Sequence, residues 1–201
     1  MNMLPMPDRS LTLLPPWIQA IRYAEKRLEN RSSGVGQSAA KWRYGLGLSN
    51  VPIIGLSQSK SGISKDGEKI DLDVVEQAKH IGKTHGWNVT PVDGKITPRM
   101  LNMGEWAGKL VLVAELLDIL PPARCEGDPW HVPGQWGLIL GRVWEVKPVP
   151  CMGGQGLWRS QWCVACKKIV ADSHGLTCKT CLSKLASGPD CPQLEIVTEV
   201  L

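Results

Sequence analysis

The order of apolar and polar positions along this chain predicts strands interrupted by a few helices. Leu11-Thr12-Leu13-Leu14 reads as a short strand. Pro15 and Pro16 follow, and proline suits the first turn of a helix, where its missing N–H has no partner to lose. Trp17, Ala20, Ile21 and Ala24 then recur at helical spacing and give one apolar face. That helix is expected to end near Glu25 to Arg27, with Leu28 to Arg31 extended. Ser32 to Lys41 (SSGVGQSAAK) is rich in glycine and serine and reads as a loop. Val51 to Leu56 (VPIIGL) predicts a strand, and Gln58 to Gly67 a polar connection. Asp71 to His85 sets Leu72, Val75, Ala78 and Ile81 in helical register, with Asp71 or Asp73 as cap and Gly86 just past the end. Lys109 to Leu120 (KLVLVAELLDIL) has a β-branched start and stops at Pro121-Pro122, which favours a long strand. Gln135 to Val146 predicts another, with Gly141 marking a bulge and Pro148 and Pro150 ending it. Gly153 to Trp158 turns into a last short strand.

From Ser160 the residue usage shifts to Cys, Lys, Ser and Gly. The organisation predicted is therefore a main domain over 1–159, with a helical insertion at about 64–90, and a small module over 160–201. A length of 201 residues suits one domain with an appendage. With 43% hydrophobic and 21% charged residues, the composition is that of a folded globular chain, not a disordered one. The aliphatic run that begins Leu110 to Val113 is far below the roughly 18 to 20 residues of a membrane span. Met1 to Ala20 lacks the compact apolar core of an export signal. A cytoplasmic protein with no membrane partner is the expectation.

Charge and aromatic content narrow the picture. The formal net charge is +4, and the excess is confined to residues 1–60, which hold eight Lys or Arg against three Asp or Glu. That asymmetry points to a surface facing a polyanion, against the plainer alternative of a solvated face. Nine Trp stand beside two Tyr and no Phe. Indole fills cores, and it also stacks on bases.

The cysteines carry the sharpest local motif. There are seven, and an odd number without an export signal argues against a disulfide framework. Cys163-Val-Ala-Cys166 and Cys178-Lys-Thr-Cys181 offer four thiolates in two tight turns, the donor set that suits tetrahedral Zn²⁺. The alternatives are a redox dithiol, unpaired thiols, or His174 replacing one cysteine. Lys167, Lys168 and Lys179 flank the turns and favour thiolates. Few large apolar residues surround the quartet, so the metal would supply folding energy. Cys191 reads as a spare thiol, and no role is assigned to Cys125 or Cys151.

Two blocks give the main domain a resemblance. The first is Pro15-Pro16-Trp17 followed by Ala24-Glu25-Lys26-Arg27-Leu28-Glu29-Asn30-Arg31. The second is Gly137-Leu138-Ile139-Leu140 followed by Val149-Pro150-Cys151-Met152-Gly153-Gly154-Gln155-Gly156-Leu157-Trp158. In this order they resemble the phage and bacterial ASCH-domain proteins, with Ala24 standing where the family signature has glycine. The resemblance covers most of residues 11–159. It implies an α+β, PUA-like fold, a small antiparallel β-barrel with flanking helices, here joined to a C-terminal zinc ribbon. It also implies recognition of RNA or of a modified nucleotide in a cleft beside the signature helix. Some small members hydrolyse the amide of acetylated cytidine, using the signature lysine with a threonine at the position of Glu29.

Three readings follow. In the first, the chain binds RNA or single-stranded nucleic acid, with Lys26, Arg31, Lys41, Arg43 and Lys60 at phosphates, Ser57 and Ser59 at base edges or phosphate oxygens, and Trp17 or Trp42 stacking on a base. In the second it is an amidohydrolase acting on a modified nucleoside, with Lys26 activating the nucleophile and Glu29 or Glu145 shuttling protons. In the third it is a phage inhibitor of a host defence or nucleic-acid-processing protein, acting in the host cytoplasm. The first and second place Lys26, Glu29 and Arg31 on one concave surface with Ser57, Gln58, Ser59 and Lys60. The plain alternative is a solvated ion-pair cluster. For the quartet, freshly prepared and reduced protein should contain about one zinc per chain, held by Cys163, Cys166, Cys178 and Cys181. Elemental analysis that finds none contradicts it.

Overall fold

A computed structural model describes residues 2–47, 50–61, 72–85, 103–171, 185–186 and 191–200. The strands are β1 (Met3–Leu4), β2 (Arg9–Leu13), β3 (Leu28–Arg31), β4 (Ile53–Gln58), β5 (Lys109–Leu120), β6 (Trp136–Met152), β7 (Leu157–Cys163), β8 (Lys168–Ala171), β9 (Leu185–Ala186) and β10 (Leu194–Val200). The helices are α1 (Trp17–Tyr23), α2 (Ser33–Gly45), α3 (Leu72–His85) and the single turn α4 (Met103–Trp106). The fold is α+β, with the strands joined in one mixed sheet.

Strand β6 is its spine. One edge pairs with β5 along most of its length. The other edge takes β3 at residues 136–139, then β10 at 143–146, then β8 at Cys151 and Met152. Beyond β5 the order continues through β4, β2, β7 and β8. The circuit thus returns to β6, but through only the pairs Cys151–Ile169 and Met152–Val170. The sheet curls onto itself at one end without forming a regular barrel. Two pairings, β2 with β4 and β6 with β8, are parallel. The expected antiparallel barrel is corrected to this mixed, curled sheet.

Strand β5 lies between β4 and β6 and is buried on both faces from Leu110 to Ala114, so its sequence is a continuous apolar run. The curl is built into β5 and β6 by register shifts. One falls at Gly141, as expected. There Arg142 donates from its backbone N–H (3.1 Å) and from Nε and Nη2 (3.0 and 2.7 Å) to the Glu115 carboxylate. Those hydrogen bonds hold the Glu115 carboxyl below its ordinary range.

Two elements depart from the sequence reading. Strand β6 runs past Pro148 and Pro150 to Met152. Between Val146, paired to β10, and Cys151, paired to β8, it has a partner on one edge only among the described residues, and proline is tolerated on an open edge. The second departure is 33–45, read in part as a loop and observed as helix α2. Gly36, Ala39, Ala40 and Arg43 form its buried face. Ala39 and Ala40 enter the main core with Leu11, Leu56 and Leu138. Tertiary packing of this stripe outweighs the poor helix propensity of glycine and serine. Strand β7 carries the chain through Ser160 without a break, and Trp158, Ile169 and Leu194 share one apolar cluster with Leu110 and Trp144.

Gly36 tests this explanation of α2. A Cβ there would overlap the Trp136 side chain. Gly36→Ala gains about 1 kcal/mol of helix propensity but meets an overpacking cost of about 1–3 kcal/mol. Urea unfolding should show a lower midpoint, and a higher one would contradict the packing.

Candidate functional site

Residues 24–31 build one side of the site. Helix α1 ends where Glu25 takes φ 54°, a left-handed conformation that turns the chain sharply. The N–H groups of Ala24 and Lys26 both donate to the Ala20 carbonyl, at 2.9 and 3.2 Å. The turn swings Lys26 inward, where it is 1% exposed. A buried ammonium needs charged and polar partners. Lys26 Nζ donates to Glu29 Oε2 at 2.6 Å and to the Leu28 carbonyl. Glu29, 6% exposed, sits on β3 opposite Leu138. Its second oxygen lies 3.1 Å from Arg31 Nη2. That contact is ionic but not aligned as a hydrogen bond: Arg31 Nε and Nη2 are buried with no hydrogen-bond acceptor among the described residues.

The facing wall comes from α3 and the segment 129–135. Asn30 ties that segment down, donating from Nδ2 to the Trp130 carbonyl at 2.7 Å and accepting the Val132 N–H at 2.8 Å. Helix α3 lays Val74, Ala78 and Ile81 against Ala20 and Ala24, with Trp17 and Trp130 at the border of this cluster. His85 stacks on Trp130, ring centroids 3.5 Å apart and planes 17° from parallel. Between the walls is a cleft of about 430 Å³. Trp17, Lys26, Glu29, Arg31, His85 and Trp130 line it, with Lys26 Nζ 5.8 Å from the Trp17 ring centroid. A cleft of this size with aromatic walls and a few fixed charges can hold a flat, polar small molecule.

The structure gathers Trp17, Lys26, Glu29 and Arg31, but not the rest of the predicted set. Ser57, Gln58, Ser59 and Lys60 line a different groove, which corrects the single concave surface expected. Ser57 is buried and donates to the Leu11 carbonyl at 3.2 Å. The expectation that Arg43 meets phosphate is also corrected. Arg43 is 3% exposed and donates to the carbonyls of Leu116 (3.1 Å), Leu117 (3.2 Å) and Gly47 (3.3 Å), so its charge ties α2 to β5. Lys41 is exposed on α2 and Trp42 packs against the main core; neither lines the cleft. Glu145 accepts from Arg22 Nε at 2.6 Å and is outside the cleft too. Sequence reasoning missed Asn30, His85 and Trp130. The one signal was Trp130-His131 between prolines, an aromatic pair in a stretch with no core periodicity.

Cys163, at the end of β7, is wholly buried and accepts the Cys166 N–H on its sulfur at 3.4 Å. Lys167 then takes φ 52° to complete the turn into β8. Strand β9 pairs Leu185 with Cys163. Cys178, Cys181 and His174 lie outside the described residues. Among the described residues no group of three or more His, Cys, Asp or Glu gathers to hold a metal. Cys151 is buried against Ser57, and desolvation pushes its thiol up to about 12. Burial also raises the Cys125 thiol.

No family model matches this chain, and no curated protein matches it. Among the described residues no helix is long and apolar enough to cross a membrane.

The charge cluster makes an ordered prediction. Glu29→Ala leaves the Lys26 ammonium buried without its counterion, which costs about 3–5 kcal/mol. Lys26→Met leaves Glu29 with Arg31 and should cost less. Denaturant titration of both variants checks the order; equal, sub-kilocalorie losses would show a cluster that water already screens.

Proposed function

We propose that the chain is an ASCH-like, PUA-like nucleic-acid-binding protein that takes one nucleobase, plain or modified, from RNA or another single strand into the cleft. The observation that carries this is the Arg31 guanidinium on the cleft wall. Its Nε–H and one Nη2–H form the parallel fork that matches a pair of acceptors, as on a phosphate or the edge of a base. Among the described residues both donors are buried without a hydrogen-bond acceptor, Nη2 having only its ionic contact with Glu29, a costly arrangement in the free protein. A ligand with two adjacent acceptors satisfies both after a small shift of the side chain. Trp17 and Trp130 supply stacking faces, and base stacking on an aromatic ring is worth about 1–3 kcal/mol. Glu29, held by Lys26, is positioned as an acceptor for an exocyclic amine.

The contact between Lys26 and Glu29 also favours a second reading, an amidohydrolase acting on an acylated cytidine, in which that pair carries protons to and from the scissile amide. Two of the ammonium donors are already used, on Glu29 and Leu28, so binding is the better-supported role.

The quartet Cys163, Cys166, Cys178 and Cys181 is proposed to hold Zn²⁺. The fit is supported by the Cys166 N–H on the Cys163 sulfur, since a hydrogen bond to sulfur favours the thiolate that zinc requires. It is supported also by β9, which returns the chain to Cys163 shortly after Cys181. The metal would brace the end of β7 and β8.

Titration of a short single-stranded RNA, followed by anisotropy, tests the binding reading. Arg31→Ala should weaken binding by about 1–3 kcal/mol for a lost charged hydrogen bond. Unchanged affinity overturns the role of Arg31. Incubation with N4-acetylcytidine, followed by mass spectrometry, decides the second reading: turnover that Lys26→Met abolishes would make the chain a hydrolase.

A further inference from the structure

On the other side of β2 lies the groove that took Ser57 to Lys60, about 410 Å³ in volume. Thr12 lines both this groove and the cleft, so the two cavities are neighbours. Their closeness follows from the sheet. Strands β2 and β4 are parallel, and their C-terminal residues Leu13 and Gln58 are paired. After that shared edge the two chains part. Leu14 and Trp17 go to the cleft, Ser59 and Lys60 to the groove.

The groove has the chemistry of an anion site. Lys60 is exposed, and its stem lies across Gly108, where a Cβ would collide with it. Gly108 takes φ 67°, so the position favours glycine twice over. Ser59 Oγ accepts the Ser61 N–H at 3.0 Å, which leaves its hydroxyl proton to donate. Thr12 Oγ1 accepts from Trp158 Nε1 at 3.2 Å and lies 3.2 Å from Ser57 Oγ. Ser57 has the Leu11 carbonyl for its own proton, so the Thr12 proton is free for Ser57 or for a group in the groove. None of the groove's described lining residues is acidic.

We infer that the groove seats the phosphodiester flanking the base held in the cleft, so that the ligand is a nucleotide within a single strand, not a free nucleoside. This rests on the reading of the cleft as a base site. A base and its flanking phosphate are separated by one sugar, and two neighbouring cavities that share the lining residue Thr12 suit such a unit. Lys60 meets the phosphate as a point charge, while Ser59 and Thr12 donate hydroxyl protons to its oxygens.

The test compares five nucleosides (the four common ribonucleosides and N4-acetylcytidine) with tetranucleotides carrying each of them at the second position, measured by calorimetry across a salt series. The best tetranucleotide should bind about tenfold or more tighter than its nucleoside, as one charged contact contributes. Lys60→Ala should shrink that ratio about tenfold and make the salt dependence shallower by about 0.7 in log–log slope, one phosphate contact on a single strand. Equal affinity for nucleoside and tetranucleotide overturns the inference and leaves the base site standing. So does a tetranucleotide preference that Lys60→Ala does not change, since the preference would then arise elsewhere. Failure of every probe to bind removes the base site and the inference with it.

Discussion

A lysine ammonium taken out of water must be met by an opposite charge and by acceptors for its protons, and in this protein that requirement shapes the site. Lys26 is nearly inaccessible and meets Glu29 and the Leu28 carbonyl. Satisfying it fixes the turn at Glu25, the way β3 leaves α1, and the place of Arg31 at the end of that strand. Because β3 is hydrogen-bonded to the first residues of β6, the charge cluster is anchored to the spine of the sheet. Buried ion sets of this kind contribute little net stability, and their desolvation is offset only when every partner is present. The return is geometric: charges held without freedom to wander, with Lys26 and Glu29 nearly out of reach of water.

The second wall is built differently. Helix α3 is held by a small apolar cluster separate from the main core, and it meets the cleft through His85 on Trp130. Among the described residues, Val74, Ala78 and Ile81 pack that wall against Ala20 and Ala24, a smaller cluster than the one that holds β5 and β6. The buried charges therefore stand opposite an aromatic face, with Trp130 held by the hydrogen bonds of its segment to Asn30. That division suits a site where polar groups select a ligand's edge and stacking accepts its plane.

How much of this could be read from the sequence depended on whether the cause was local. Strand β5 was legible because burial on both faces demands an unbroken apolar run. Strand β3 and the cluster of Lys26, Glu29 and Arg31 were legible because all three residues lie within one turn and one strand. Helix α2 was not. Its glycine at position 36 looks like a loop signal, and its reason is Trp136, a hundred residues away. Pro148 and Pro150 looked like strand ends, and only the pairing pattern of β6 shows that they occupy an open edge. Arg43 was taken for a phosphate ligand because composition records a charge but not its burial. His85 and Trp130 were invisible as a pair, since nothing in their spacing predicts that α3 packs over the segment at 130. Ser57 to Lys60 were read into the same surface as Lys26, whereas they line a separate groove that shares Thr12 with the cleft.

The central claim is that the cleft, and no other face, receives a base. The indole N–H resonances report on it directly. Each of the nine tryptophans contributes one indole N–H signal to a nitrogen-15 correlation spectrum. Trp17 and Trp130 line the cleft, whereas Trp144 and Trp158 are buried in another cluster. Addition of a short single-stranded RNA should shift the Trp17 and Trp130 signals, assigned through Trp→Phe variants, and leave Trp144 still. Shifts confined to other tryptophans, or none at saturating RNA, would contradict the account.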